Sequence, residues 1–293
     1  RPGMYRDFID GYLLDFAGMD FTGFLTNHVR MLRERYHADW WKYDQDFFTA
    51  ETRHGVMKNV VAFQDALEAV RRGEPDLVIE SCQSGGRMVN DFTLFTGQTL
   101  WLRDGSGSGM SHIRKNIATA LGALDFVWPY QACRWTNRPW DMDTGAEMTR
   151  LLCRSAMAGT WGIVTDLDKI GEEQRAVILA EVEHYRRLNT HKPDFLYDLL
   201  LPGENAPVVG VTYYKADNSG AAALRYRWDT RRDHEHVLRF NALNADSPYT
   251  VADIDTGATW TRNGAALADE GVRLAFPRKR LSALVFVARA SSG

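Results

Sequence analysis

Between residues 11 and 187, short apolar runs alternate with stretches whose apolar residues recur at helical spacing. Residues 12–16 read as a short strand. Phe21, Phe24, Leu25, Val29 and Leu32 fall on one stripe and predict a helix over 21–36. A strand over 38–44 follows, then a helix over 57–72, ended by Gly73 and Pro75. Residues 77–81 and 99–102 are predicted strands, with a short helix over 88–95 between them. Helices over 111–124, 144–157 and 171–188 alternate with strands over 126–128 and 160–164. Six βα units of roughly 30 residues each imply a parallel sheet with helical crossovers, in a barrel or a doubly wound sheet. The pattern changes after Pro193. From 208 to 287 come short alternating runs at 209–214, 223–228, 236–240 and 281–288. Turn clusters such as Asp217-Asn218-Ser219-Gly220 and Arg262-Asn263-Gly264 separate them, which predicts an antiparallel β-domain.

Composition narrows the classes. Hydrophobic residues are 45% and charged residues 25% of 293, ordinary values for a globular chain with a large core. The 35 Lys and Arg face 38 Asp and Glu, a net charge of -3, so no global basic field is present to hold nucleic acid. No apolar run reaches the roughly 18 residues that span a bilayer. Three cysteines argue against a disulfide framework. With no visible leader at Arg1-Pro2-Gly3, they favour a reducing, cytoplasmic compartment. Nine Trp and eleven Tyr keep sugar-like ligands open.

Three strand ends carry candidate chemistry. Lys42-Tyr43-Asp44-Gln45-Asp46 places Lys42, Asp44 and Asp46 on one side by alternation. In a parallel barrel the carboxyl ends of strands hold active sites, although this segment alone also reads as a strand running into a solvated loop. Glu80-Ser81-Cys82-Gln83-Ser84-Gly85-Gly86-Arg87 ends a strand in a glycine turn, either a tight βα connection or a close backbone approach to a ligand. It lacks the spacing of a phosphate loop. Trp101-Leu102-Arg103-Asp104 ends in a carboxylate before the glycine-rich segment 105–109. Asp44 and Asp104 stand at equivalent points of units two apart, facing each other across a barrel mouth. Paired carboxylates so placed serve retaining glycoside hydrolysis: one attacks the anomeric carbon, while the other protonates the leaving oxygen and then activates water. Lys42 beside Asp44 would favour its ionised form. His234-x-His236 reads as exposed strand histidines rather than a metal site. Trp135, Trp140 and Trp161 are either core or a sugar platform, and Cys133 and Cys153 are expected to be buried thiols.

At these segments the chain resembles glycoside hydrolase family 36, the melibiase-like α-galactosidases related to family 27. The family's Lys-Trp-Asp-x-Asn strand stands here as Lys42-Tyr43-Asp44-Gln45-Asp46, with Asp46 in the place of the Asn. Its Glu-Asn-Cys-x-Ser-Gly-Gly-Gly-Arg stands as the segment from Glu80 to Arg87, one Gly short. Its Trp-x-Ser-Asp stands as Trp101-Leu102-Arg103-Asp104. Residues 157–167 resemble its Gly-x-Phe-Gly-Tyr-Glu-Leu-Asp stretch.

The resemblance implies strands 3 to 8 of a (β/α)8 barrel over residues 1–200 and a C-terminal β-sandwich over 201–293. It implies Asp44 as nucleophile and Asp104 as acid/base. Lys42, Asp46, Cys82, Ser84, Gly85 and Trp101 would bind the sugar. No metal or organic cofactor is implied, because the two carboxylates do the chemistry. The expected partner is an oligosaccharide or glycoconjugate ending in an α-galactosyl-type sugar, with no nucleic acid and no membrane. The first two strands of the family's barrel and its N-terminal β-sandwich are expected to precede Arg1, or to be supplied by another chain in a homo-oligomer. Alternatives in the same fold are an α-N-acetylgalactosaminidase and a galactosyl-transferring enzyme of the raffinose-synthase kind. A carbohydrate-binding fragment without turnover is a third.

Overall fold

The computed structural model describes residues 4–6, 12–44, 53–82, 85–86, 89–104, 110–136, 145–163, 167–203 and 206–290. The chain divides into two compact units, residues 1–104 and 105–293. Among the described residues no helix is long and apolar enough to cross a membrane.

The first unit runs β1 (Met4–Arg6), β2 (Tyr12–Leu14), α1 (Phe21–Tyr36), β3 (Trp40–Asp44), α2 (Arg53–Gly73), β4 (Val78–Cys82), α3 (Asp91–Thr96) and β5 (Thr99–Trp101). β4 lies between β3 and β5, and both pairings are parallel. The first predicted strand forms, but it pairs antiparallel with β1, Met4 opposite Leu14, rather than as a member of the parallel set. Alternation alone does not distinguish these two pairings. Asp20 caps α1 by accepting the Gly23 N–H at 2.9 Å, and His37 closes it in the left-handed region. Phe21, Leu25 and Val29 are the buried stripe of that helix. They pack with Tyr43, Phe63, Ala66, Leu67, Val70, Leu77 and Ile79 into one core. Truncating a residue such as Phe63 there costs about 3–5 kcal/mol. This core fixes the outer faces of β3 and β4, so the alternate side chains of both strands point the other way.

The second unit opens with α4 (Met110–Ala123), β6 (Ala132–Thr136), α5 (Ala146–Arg154), β7 (Thr160–Ile163), a 3-10 turn and α6 (Glu172–Asn189). β6 and β7 are parallel, Cys133 opposite Thr160. The strand expected at 126–128 is a turn instead. Gln131 and Ala132 donate back to Trp128 O at 2.8 and 3.2 Å, and Phe126 and Trp128 are exposed. The strand follows at β6, whose interior Arg134 hides it from a hydropathy reading although that side chain is buried.

β8 (Leu196–Leu200), β9 (Val208–Tyr214), β10 (Gly220–Arg227), β11 (His234–Leu238), β12 (Pro248–Asp253), β13 (Thr259–Asn263), α7 (Gly264–Asp269), β14 (Val272–Phe276) and β15 (Ser282–Arg289) complete the chain. They form an antiparallel sheet in the order β13-β12-β15-β10-β9-β8 and an antiparallel pair β11-β14. Tyr214, Phe240, Tyr249, Leu274, Phe276 and Val285 are among the residues of their shared core. Leu196–Leu200, which carries no clear alternation, is an edge strand paired with β9.

Arg154 ties the helices of this unit to the antiparallel sheet. Fully buried, it donates to Glu181 Oε1 and Oε2 at 2.8 and 2.9 Å and to both Asp255 oxygens at 2.7 Å. Tyr226 donates to its carbonyl at 2.6 Å. Burial pushes the Glu181 and Asp255 carboxyls up, but both end below the ordinary range, Glu181 through His184 and Arg154 and Asp255 through Arg154 with Arg280 and Arg150.

Candidate active site

The register of β3 and β4 sets Lys42 opposite Glu80, Tyr43 opposite Ser81 and Asp44 opposite Cys82. Successive side chains alternate, so the middle pair belongs to one face and the outer pairs to the other. Tyr43 and Ser81 face the core: the Tyr43 hydroxyl donates to Ser81 Oγ at 2.7 Å, and burial pushes the phenol up to about 12. Lys42, Glu80, Asp44 and Cys82 occupy the opposite face. One strand along, Glu80 pairs with Thr99 and Ser81 with Leu100.

Two short chains of contacts lead from the Asp44 strand to Asp104. In the first, Lys42 Nζ lies 3.1 Å from Glu80 Oε1 and 4.0 Å from the centroid of the Trp101 ring. The Trp101 indole N–H donates to Asp104 Oδ1 at 2.7 Å. A cation over an indole is attracted by the ring quadrupole, so Trp101 holds the ammonium on its face and the carboxylate at its edge.

In the second, the buried Cys82 thiol is pushed up to about 12, chiefly by burial and further by its hydrogen bond to Asp44, while the Gly85 backbone opposes the shift. Gly85 and Gly86 have φ of +73° and +82°, in the region that favours glycine. A Cβ on Gly85 would overlap the Asp104 amide nitrogen, and one on Gly86 the Leu102 carbonyl. The glycine turn after β4 therefore lies directly on the segment that leads to Asp104. The close approach made by this turn is to protein backbone.

Among the sequence-predicted residues, Lys42, Asp44, Cys82, Gly85, Trp101 and Asp104 gather here, with both Asp44 and Asp104 exposed at their strand ends. Asp46, Ser84 and Trp140 lie outside the described residues. In the second unit the Trp161 ring is edge-on to Tyr185 at 5.4 Å and its indole N–H donates to Thr136.

The sequence reading missed Glu80 and Trp40. Glu80 is 1% exposed, pairs with Lys42 and accepts the Trp40 indole N–H at 2.9 Å. The Lys42–Glu80 approach is an ion pair without hydrogen-bond alignment. The Lys42 ammonium thus answers a buried carboxylate on the neighbouring strand. The signal was present: a glutamate directly after the apolar run Leu77-Val78-Ile79, within the same strand, demands a partner if buried.

Among the described residues no three His, Cys, Asp or Glu side chains gather into a group that could hold a metal ion. His236 lies against Arg225 at 3.4 Å, and His234 against Asp229 at 3.4 Å.

No protein-family model matches the chain. A curated relative, the bifunctional α-galactosidase/sucrose kinase AgaSK of Mediterraneibacter gnavus, is 21% identical over 182 residues, 61% of this chain and 19% of its own length. Solved structures align far more completely. The galactosidase domain of AgaSK matches 98% of this chain and 39% of its own, at 18% identity and a TM-score of 0.79. The glycoside hydrolase family 36 α-galactosidase AgaA of Geobacillus stearothermophilus, in complex with raffinose, matches 99% of this chain and 41% of its own, at 15% identity and a TM-score of 0.81. The α-galactosidase of Lactobacillus brevis matches 96% and 40%, at 16% identity and a TM-score of 0.79. The chain spans about two fifths of the length of these structures. Its structural neighbours are glycoside hydrolases, and the chain has the α/β fold of family 36 α-galactosidase domains, parallel strands followed by antiparallel sheets.

Proposed function

We propose that this chain carries the catalytic pair of a retaining glycoside hydrolase acting on terminal α-galactosides. The observation that carries the reading is that Asp104 accepts from Trp101, whose ring carries Lys42 of the Asp44 strand, while Cys82, hydrogen-bonded to Asp44, adjoins the Gly85 turn that lies on the Asp104 backbone. The parallel strands belong to a (β/α)8 barrel within residues 1–200, and residues 201–293 form a β-sandwich.

In the first step the Asp44 carboxylate attacks the anomeric carbon, the glycosidic C–O bond breaks, and Asp104 gives its proton to the departing oxygen. In the second, Asp104 takes a proton from water, water attacks the anomeric carbon from the opposite face, and the bond to Asp44 breaks. Lys42 and Trp101 orient the sugar and the acid, with Asp46, Cys82, Ser84 and Gly85 contributing to the sugar pocket. The substrate is an oligosaccharide or glycoconjugate ending in α-galactose; raffinose and stachyose are bound in the AgaA structures.

Azide rescue tests the roles. Asp44→Gly abolishes turnover, and azide restores it with a β-galactosyl azide as product. Asp104→Ala with azide gives the α-product, because Asp44 still forms the intermediate. An α-azide from Asp44→Gly, or near-normal activity of that variant, sinks the assignment.

A further inference from the structure

The connection between β10 and β11 is built around a buried guanidinium. Arg227 donates to Asp229 O at 3.1 Å, to Thr230 O and Arg232 O at 2.9 Å each, to Pro277 O at 3.2 Å and to Arg278 O at 2.5 Å. From outside, the Trp228 and Asp229 amides donate to Pro207 O at 2.8 and 3.2 Å. The Arg278 amide donates to Asp233 Oδ1 at 2.8 Å. Five carbonyls on one cation and three further backbone anchors fix this loop in a single arrangement.

The loop and α4 enclose a cavity of about 470 Å³, lined by Arg114, Trp228, Asp229, Arg231, Arg232 and His234 among others. Three guanidinium groups and an imidazole face one carboxylate. That carboxylate is already engaged: Asp229 accepts from Arg231 Nε at 2.9 Å and from the Arg231 amide at 3.0 Å. Arg232 stands 3.8 Å from its other oxygen.

Two donors on the cavity wall are left over. Arg114 is held by its Nη2, which donates to Thr230 Oγ1 at 3.1 Å, and by the Trp228 ring at 5.8 Å. Its Nε is buried and has no acceptor among the described residues. His234 has a side chain only 7% exposed; its Nε2 stands 3.4 Å from Asp229 Oδ2, out of hydrogen-bond alignment, and is likewise without an acceptor among the described residues. Buried nitrogens of this kind are satisfied by protein, water or ligand in native structures. A metal ion is repelled by three guanidinium groups, whereas an anion with several acceptor oxygens answers an arginine fork and a ring N–H together.

We propose that this cavity is a binding site for a tetrahedral oxyanion, a phosphate or sulfate group, with Arg114 and His234 as its buried donors. The group is either a free ion or one carried on a saccharide. The site is independent of the catalytic reading of Asp44 and Asp104.

Calorimetric titration of the intact protein with inorganic phosphate, at ionic strength held constant with chloride, tests it. Saturable phosphate binding is expected, weakened about tenfold or more by Arg114→Gln and by His234→Gln, the loss of one charge-assisted hydrogen bond each. Arg273→Gln, whose side chain is 78% exposed, pairs with Glu235 and lies outside the cavity lining, changes the affinity by less than about threefold. Parallel titrations with galactose 6-phosphate and galactose 6-sulfate distinguish the sources. Tighter binding of either than of inorganic phosphate assigns a saccharide-borne group, and equal binding assigns the free ion. Should a variant fail to fold, the His234 ring nitrogen resonances of the unaltered protein are expected to move on phosphate addition and not on chloride addition. Absence of saturable binding of all three anions, unchanged affinity in both donor variants, or His234 resonances indifferent to phosphate would overturn the proposal.

Discussion

Trp101 donates its indole N–H to Asp104 Oδ1 at 2.7 Å, three residues further along the same strand end. The same ring carries the Lys42 ammonium 4.0 Å from its centroid. A single side chain thereby couples a cation on β3 to the proposed acid beyond β5. The arrangement separates the two functions of the indole experimentally.

Trp101→Phe keeps an aromatic face for Lys42 and deletes the donor to Asp104. With Asp104 as the acid, kcat for an oligosaccharide with a poor leaving group falls about tenfold or more. An aryl α-galactoside with an activated leaving group loses much less, because it needs little proton transfer. Equal losses on both substrates would remove Asp104 from the acid role.

Gly85→Ala forces a residue with a side chain into φ +73° and drives its Cβ into the Asp104 amide nitrogen. The left-handed conformation alone costs about 1–2 kcal/mol, and the overlap adds to it by displacing Asp104. Activity is expected to fall further than the drop in melting temperature explains. A variant destabilised but fully active per folded molecule would show that the glycine turn does not position Asp104.

Glu80→Gln tests the buried ion pair. The amide still accepts the Trp40 N–H, which is 2.9 Å from the carboxylate in the native strand, but it no longer balances Lys42. Removing one partner of a pair buried on one side costs about 1–3 kcal/mol. The double variant Glu80→Gln, Lys42→Met recovers part of that loss in a urea titration, since no unpaired charge remains. Additive losses in the double variant would mean that the pair contributes no coupling.

His236 gives the second unit a defined acid response. Burial, with Arg225 and Arg239 nearby, lowers its pKa from 6.5 to about 4. The folded chain therefore holds the neutral ring, which accepts from Arg225 Nε at 3.4 Å. The unfolded chain takes up the proton first, so the stabilisation is complete above about pH 6.5 and is lost as pH falls toward 4. At about 1.4 kcal/mol per pH unit, the loss across the window is on the order of 3 kcal/mol. Urea midpoints at several pH values read this slope. His236→Gln, which does not titrate, is expected to flatten it, and an unchanged slope in that variant would place the acid sensitivity elsewhere.

What the sequence determined by itself was local. The helical stripe Phe21, Leu25, Val29, the carboxylates closing 38–44 and following 99–102, and the glycine pair between them all follow from spacing within a few residues. They suffice for an α/β chain with acidic strand ends. Only the tertiary structure decided which strands are neighbours. It paired Tyr12–Leu14 antiparallel with Met4–Arg6, and moved the strand expected at 126–128 to Ala132–Thr136, where Arg134 masks it. It also joined Leu196–Leu200 to the antiparallel sheet. The Lys42–Glu80 pair, the Trp101–Asp104 hydrogen bond and the seating of Gly85 on the Asp104 backbone belong to the same class. Periodicity fixes which face a side chain takes. A charge's partner is fixed by strand register, set between segments some forty residues apart by the packing of Tyr43, Phe63 and Ile79 on the other side of the sheet.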